Sequence, residues 1–350
     1  MSIFRIHLLP AAHGDCILIE YGPADSLKRV LIDGGTPPVW KTLQKMLEAV
    51  PASERSLELL VVTHVDADHI GGALSLFDPG VPNLDFQDIW FNGYRHLRAV
   101  EEYGPVQGEK LTSFLWQRMN RWNQAFGGKA VVVPDTGALP SHTLGGGMKL
   151  TLLSPTALSL SALLPKWERE CKKAGLDPQE EPPAPMPEGL EPMGGIDVEE
   201  LAGRPFEEDT AEANGSSIAF LAEYDNMRVL FGADAHPSNL QRSISRLPGG
   251  LVEVNALKLA HHGSKYNTSP DLLRVVNTNR YLFSTSGAQF HHPDRETIAR
   301  IVKPKLPGCE LWFNYRSQYT EVWDDDDLRS EWKYQSTFPV AKNSGISVEL

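Results

Sequence analysis

The chain has 350 residues, of which 41% are hydrophobic and 22% charged, and a formal net charge of −12 at pH 7. That length allows one enlarged domain or two small ones around a large core, and the composition is ordinary for a soluble globular protein. The acidic balance argues against a protein that coats long nucleic acid, which requires a basic face, and no apolar run approaches the ~20 residues that span a bilayer.

The first ten residues read as a strand rather than a signal peptide, so a cytoplasmic address is expected. Cys16, Cys171 and Cys309 are odd in number and widely spaced, which predicts buried free thiols rather than a disulfide framework. Residues 3–35 read as a β-hairpin arrangement, with apolar runs at 3–9, 15–21 and 29–33. Asp15 and Asp33 bound these runs and are expected at one end of the sheet; each also fits a turn-forming Asp beside Gly.

Residues 39–50 carry Val39, Leu43, Met46, Leu47 and Val50 at the spacing of one helical face, and Pro51 stops the helix. Residues 57–62 then form a buried strand. It ends at Thr63-His64-Val65-Asp66-Ala67-Asp68-His69-Ile70-Gly71-Gly72. Two imidazoles and two carboxylates, His64, Asp66, Asp68 and His69, fall within six positions. Imidazole nitrogen and carboxylate oxygen suit Zn, Mn or Fe, and a turn rather than a regular element is expected to let them converge. A helix is expected from Ala73.

Residues 85–130 form an aromatic-rich elaboration, with a strand over 88–94 and an amphipathic helix over 111–126 carrying Phe114, Leu115, Trp116, Met119 and Trp122. Helical spacing predicts core packing for these rings rather than a base-stacking platform. Arg95, His96, Arg98, Arg118 and Arg121 are the candidates for a local basic patch, or else a solvated helix face. Residues 131–134 and 148–154 read as strands, the second closing the first half.

Residues 163–212 read as an inserted surface loop, with a short charged helix over 167–174 and six prolines among residues 177–200. The second half opens with a hairpin over 214–224 and 228–234. A strand over 255–264 ends in His261-His262, and further strands are expected over 280–286, 310–314 and 345–350. Residues 324–327 read as a solvated acidic turn. Hairpins alternating with helices, repeated in two halves joined near residue 155, predict an α/β fold of two stacked sheets flanked by helices.

The 63–72 motif resembles the signature of the metallo-β-lactamase superfamily, usually His-x-His-x-Asp-His, with Asp66 in place of the second His. Its wording, with Asn-x-Ser-Ser at 214–217 and Leu-Lys-x-x-His-His-Gly-Ser at 257–264, resembles the hydrolase domain of ComEC-type DNA-uptake competence proteins. The resemblance covers the hydrolase part of those proteins only. It implies a four-layer αββα sandwich over residues 1–350 with insertions. It implies that Asp15 and Asp33 support the site from behind its ligands, and that Asp234 bridges two metals. One of His261 and His262 completes the second metal; the other, with Ser264 and Lys258, meets substrate oxygens. Asn214 and Ser216 lie close by, and His292 binds a phosphoryl oxygen or protonates a leaving group. The superfamily often supplies another His before the second hairpin, and none occurs between His142 and His236.

The inventory of His64, Asp66, Asp68, His69, Asp234 and one paired histidine suits one or two divalent ions, Zn or Mn. Asp68 is placed to be both ligand and orienting group for a metal-activated water. The expected activity is a metal-dependent hydrolase, a phosphodiesterase or nuclease acting on DNA, short nucleic acid or small nucleotides, with no membrane partner. A lactone or thioester hydrolase and a non-catalytic partner subunit retaining the fold are the alternatives.

Overall fold

The alternating residues at the start of the chain do form strands. In the computed structural model, which describes residues 2–78, 80–97, 106–173 and 196–350, Ser2–Leu8, Ile17–Pro23 and Lys28–Ile32 make an antiparallel meander. Leu59–Val61 and Ile89–Trp90 add to it in parallel, and Ile346–Glu349 closes the opposite edge. The second sheet runs Tyr334–Thr337, Cys309–Phe313, Arg280–Phe283, Ala256–Lys258, Met227–Phe231, Ala219–Tyr224, Lys149–Ser154, Ser141–Thr143.

Period-two alternation puts Phe4, Ile6, Ile19, Val30 and Val61 on one face, where they meet Leu150, Leu152, Phe220, Val229 and Phe231 of the other sheet. Both sheets are apolar on their outer faces too, so each needs a helical cover. Leu18, Leu31 and Leu60 pack against Leu43 and Leu47 of the helix Trp40–Ala49 and against Leu160 and Leu163 of Ala157–Lys173. Leu221, Leu230 and Leu257 pack against Leu240 and Ile244 of Pro237–Ile244 and Ile298 and Ile301 of Arg295–Val302. The result is the expected α/β sandwich of four layers, helix, sheet, sheet, helix.

Several expectations need correction. The strand Lys149–Ser154 does not close the first half: it pairs with Ala219–Tyr224 in the second sheet, while the C-terminal strand crosses to the first. Alternation says which face of a strand is buried, not which strand lies beside it. The strand expected over 88–94 shrinks to Ile89–Trp90, followed by a helical turn Tyr94–Leu97. Residues 131–134 contribute only an isolated bridge, Val133 with Thr156.

The helix expected over 111–126 is Val106–Trp116, followed by short turns at Met119–Arg121 and Gln124–Phe126. Asn123 breaks the run with φ of 52°. Its buried amide donates to the Phe91 and Lys129 carbonyls and its oxygen accepts from the Phe91 N–H, bonds that a helix there would forfeit. Leu115 and Trp122 enter the core as expected, and Leu111 joins them, but Trp116 and Met119 are exposed. Arg95 lies over the Trp116 and Trp122 rings, Arg118 lies over Phe77, and His96 is half-buried, so these residues do not form one outward basic face. Arg98 lies outside the described residues.

The segment 163–212 is not all loop. Its start belongs to Ala157–Lys173, and Val198–Gly203 is a helix whose Val198 and Leu201 enter the second core. Residues 174–195, which hold the prolines, lie outside the described residues. The acidic run is also more than a solvated turn: Asp325 caps the helix Asp326–Trp332, and Asp324 accepts from Arg316, Arg329 and Ser336. Cys16 and Cys309 are buried and free; the Cys171 side chain lies outside the described residues. Among the described residues no helix is long and apolar enough to cross a membrane.

Candidate metal centre

The strands Lys28–Ile32 and Leu59–Val61 run parallel, as do Met227–Phe231, Ala256–Lys258 and Arg280–Phe283. Parallel neighbours end on the same side, and in open α/β sheets ligands gather beyond the carboxyl ends. The residues that follow these strands are Asp33, then Thr63 to His69, Asp234, His261 with His262, and the segment 284–292.

The 63–72 motif is not the plain turn expected. Asp66 stands at the N-terminus of a single helical turn, Ala67–Ile70, so Asp68 and His69 project from helical backbone and His64 from the loop before it. Backbone packing holds that turn in place. The Gly34 N–H donates to the His69 carbonyl (2.9 Å), and a Cβ on Gly34 would lie 1.8 Å from the Ala73 nitrogen. A Cβ on Gly14 would likewise lie 1.8 Å from the Asp68 carbonyl oxygen. Glycine at both positions is what lets the two loops touch the motif.

Asp234 is the centre of the arrangement. Its Oδ2 lies 3.3 Å from His69 Nε2, 3.7 Å from His262 Nε2, and 3.9 Å from Nε2 of both His64 and His261. Asp68 Oδ2 lies 3.8 Å from His69 Nε2 and 3.7 Å from His262 Nε2, and Asp66 Oδ2 3.7 Å from His64 Nε2. The Nε2 atoms of His64, His69 and His262 and Oδ1 of Asp234 are buried without a hydrogen-bond partner. Buried polar atoms are normally satisfied, so facing lone pairs left open in this way fit a cation that would use them. Among the described residues four overlapping trios fall within ligand spacing, including His64 with His69 and Asp234, and Asp68 with His69 and His262. The donor set therefore fits one or two divalent ions.

The paired histidines separate in the structure. His262 is buried against Asp68 and Asp234, whereas His261, with its side chain 25% exposed, faces Asp234 from the open side. Both have positive φ, 46° and 56°, so strand alternation ends before them and was no guide to their directions.

The ring nitrogens that face away from the cluster are held by oxygens. Asp33 Oδ2 accepts from His69 Nδ1 and from the Thr63 hydroxyl, both at 2.8 Å. Because that hydroxyl donates to Asp33, it accepts from His64 Nδ1 at 3.0 Å. His262 Nδ1 donates to the Ser284 carbonyl (2.8 Å) and His261 Nδ1 to Asn267 Oδ1 (2.9 Å). Each bond fixes the tautomer that leaves Nε2 open toward the cluster. Asp209 sits behind His261, its Oδ2 3.6 Å from Nδ1, and accepts from the Asn214 and Asn267 amides at 2.7 and 2.9 Å.

Electrostatics follow from crowding. Burial disfavours charge on His69, but Asp234, Asp68 and Asp33 outweigh it and hold the imidazole well above its usual range. Burial likewise opposes charge on His261, and Asp234 and Asp209 push it up to about 9. Asp234 is held well below the carboxylate range, since His69, His262 and His261 outweigh its burial. His64 goes the other way, lowered by burial and by repulsion from His69. Such coupled groups are what a metal site presents before an ion replaces its protons.

Not every residue singled out from the sequence reaches the cluster's open side. Lys258 is buried and pairs with Asp15, so it cannot meet substrate; Asp15 Oδ1 lies 3.6 Å from His262 Nδ1. The buried Ser216 hydroxyl donates to the Ala213 carbonyl, and buried Ser264 Oγ accepts from the Tyr266 N–H, so neither faces substrate. Asn214 sits behind His261 rather than in front of it. His292 is at the rim, its ring 5.3 Å from that of His261 and its Nδ1 3.2 Å from Asp294 Oδ2. Burial holds its pKa below the usual value despite Asp294.

Sequence reasoning missed His13, Asp209, Asn267 and Phe290. His13 had a signal, since it directly precedes Gly14-Asp15. It feels Asp68, His262 and His69, and its burial lowers its pKa. The other three carried no local pattern.

Residues 9–84 match the family model described as the metallo-beta-lactamase superfamily. No curated protein matches the chain. Among solved structures it is similar to the metallo-beta-lactamase fold protein YhfI from Bacillus subtilis, at 11% identity over all of both chains with a TM-score of 0.41. Zn(2+)-bound PqqB from Methylobacterium extorquens follows at 13% identity, 96% of this chain, 87% of that one and 0.40. A CmlA beta-hydroxylase E377D mutant matches at 12% identity, all of this chain, 54% of that one and 0.38. At those scores the structural likenesses add nothing to the assignment. The family match takes in Asp15, Asp33 and the whole 63–72 motif, and the αββα architecture is the one that the resemblance implied.

Proposed function

We propose that the chain is a metal-dependent hydrolase of phosphodiesters, acting on nucleotides, short single strands or nucleic-acid ends. The observation that carries the reading is the set of four imidazole Nε2 atoms around Asp234 Oδ2, three of them buried and unpartnered. Divalent ions held by His64, Asp66, Asp68, His69, Asp234 and His262 would activate water near neutral pH and offset charge on a phosphoryl group. Asp68, partly exposed at the cluster's open side, orients that water and accepts its proton. His13 and His292 flank the opening and bind phosphoryl oxygens.

The competence-type wording at residues 63–72, 214–217 and 257–264 supports phosphodiesters over other esters. The net charge of −12 favours short substrates, because a protein with few phosphate contacts gains little from a long polyanion.

The test compares wild type and Asp68→Asn on bis-p-nitrophenyl phosphate, a linear oligonucleotide and a lactone, with Zn and with Mn. Metal-dependent phosphodiester turnover that falls at least about a hundredfold in Asp68→Asn is expected. Lactone cleavage with inert phosphodiesters moves the substrate class, and no metal-dependent turnover at all leaves a non-catalytic partner subunit as the reading.

A further inference from the structure

We infer that Phe290 determines specificity by stacking on a planar ring of the substrate, so that the preferred phosphodiesters are nucleotide-like. The inference rests on the phosphodiester reading above and deepens it.

Phe290 is 42% exposed. A lone exposed aromatic is ordinary on a protein surface, so what matters is its setting. Its ring lies 5.7 Å from that of His13, at 82°, and 6.2 Å from that of His292, at 31°. His292 in turn lies 5.3 Å from His261, whose Nε2 is 3.9 Å from Asp234. Phe290 is therefore an exposed apolar ring beside His13 and His292, next to the imidazoles of the metal centre.

The segment that carries Phe290 is fastened on both sides. The Ser286 N–H donates to the Ala12 carbonyl (2.7 Å), and the Gly287 N–H to the Thr285 hydroxyl (3.0 Å). The His291 N–H donates to the Gly287 carbonyl (2.9 Å), and the His291 ring stacks on Tyr319 at 4.9 Å. The backbone on either side of the phenyl ring is thus held before any ligand arrives, which lowers the ordering cost of contact. An aromatic face offers stacking to any base and nothing comparable to an alkyl ester. It also fits the acidic chain, since recognition of one ring beside one phosphate needs no run of cationic contacts.

In the assay reaction water adds to phosphorus, the bond from phosphorus to one nitrophenyl oxygen breaks, and p-nitrophenolate leaves while the water's proton passes through Asp68 to solvent. Inhibition of this hydrolysis by thymidine 5′-phosphate and by methyl phosphate reports ring recognition separately from phosphate recognition. In wild type the inhibition constant of thymidine 5′-phosphate should lie at least about tenfold below that of methyl phosphate. Phe290→Ala should close most of that gap by weakening the nucleotide alone, and Phe290→Trp should keep it.

A merely displaced loop would weaken both inhibitors alike and leave their ratio unchanged, which overturns the inference. Equal inhibition by the two in wild type overturns it as well. Absence of bis-p-nitrophenyl phosphate hydrolysis with Zn or Mn is a different failure, that of the phosphodiester reading, and the inference falls with it.

Discussion

Metal uptake should stabilise the protein, and by an amount that depends on pH in a direction set by His69. The perturbation is chelation followed by return of Zn or Mn, in wild type and in Asp234→Asn. In the metal-free protein His69 sits well above its ordinary 6.5, because Asp234, Asp68 and Asp33 outweigh its burial. It therefore holds its proton to higher pH than an ordinary imidazole, and an ion that uses its Nε2 competes with that proton. Affinity should then rise about tenfold per pH unit below the His69 value. An ion at a hundred times its dissociation constant contributes about 2.7 kcal/mol. An unfolding entropy of about 2.1 cal/mol/K per residue gives roughly 0.7 kcal/mol/K for this chain, so Tm should rise about 4 °C. One pH unit lower, at the same ion concentration, the rise should be about 2 °C.

The metal-free protein has the opposite preference. A raised His69 contributes stability that is full below 6.5 and lost as pH climbs through its folded value. A depressed Asp234 contributes stability that is present above 3.8 and lost as pH falls through its folded value. The metal-free optimum should thus lie between those limits, on the acidic side of neutrality, and metal should move it upward. Differential scanning calorimetry from pH 5.5 to about 8, with elemental analysis of the same samples, reads both effects. A rise in Tm that ignores pH, or one that survives undiminished in Asp234→Asn, would refute the placement of the ion among these histidines.

Other outcomes follow from single contacts. Lys258→Met should leave the Asp15 carboxylate buried without its cation and cost about 3–5 kcal/mol, or roughly 4–7 °C in Tm. Adding Asp15→Asn should recover part of that loss; urea titrations showing no deficit in the single variant would mean the pair is not buried as described. Gly34→Ala should abolish stoichiometric metal uptake by pushing the Gly72–Ala73 backbone away, since its Cβ would lie 1.8 Å from the Ala73 nitrogen. Gly203→Ala, with nothing within 4 Å, serves as the control, and equal metal content in both variants would count against the tight loop packing.

The local signals were strong where chemistry and periodicity coincide. His64, Asp66, Asp68 and His69 lie within six positions of each other, so chain connectivity alone keeps them together whatever the rest of the fold does. The apolar runs at 3–9, 15–21 and 29–33 read as strands, and 3.6-residue spacing in 39–50 read as a helix on the outside of the first sheet. Those periods are properties of the backbone and need no partner to be read. The helix over 111–126 failed for the complementary reason: its break at Asn123 is set by bonds to Phe91 and Lys129, which no window around Asn123 contains.

What the sequence determined by itself, then, was the layered α/β architecture and the clustering at 63–72 of donors that suit a cation, both written in short-range spacing. The tertiary structure decided the rest. It put Lys149–Ser154 in the second sheet, turned His261 and His262 apart through two left-handed residues, and buried Lys258 against Asp15. It brought His13, Asp209 and Phe290 to a site whose motif lies at residues 63–72. These are choices among partners distant in the chain, made by packing and by the cost of leaving charge or polar atoms buried alone, and such partners leave no period in the sequence.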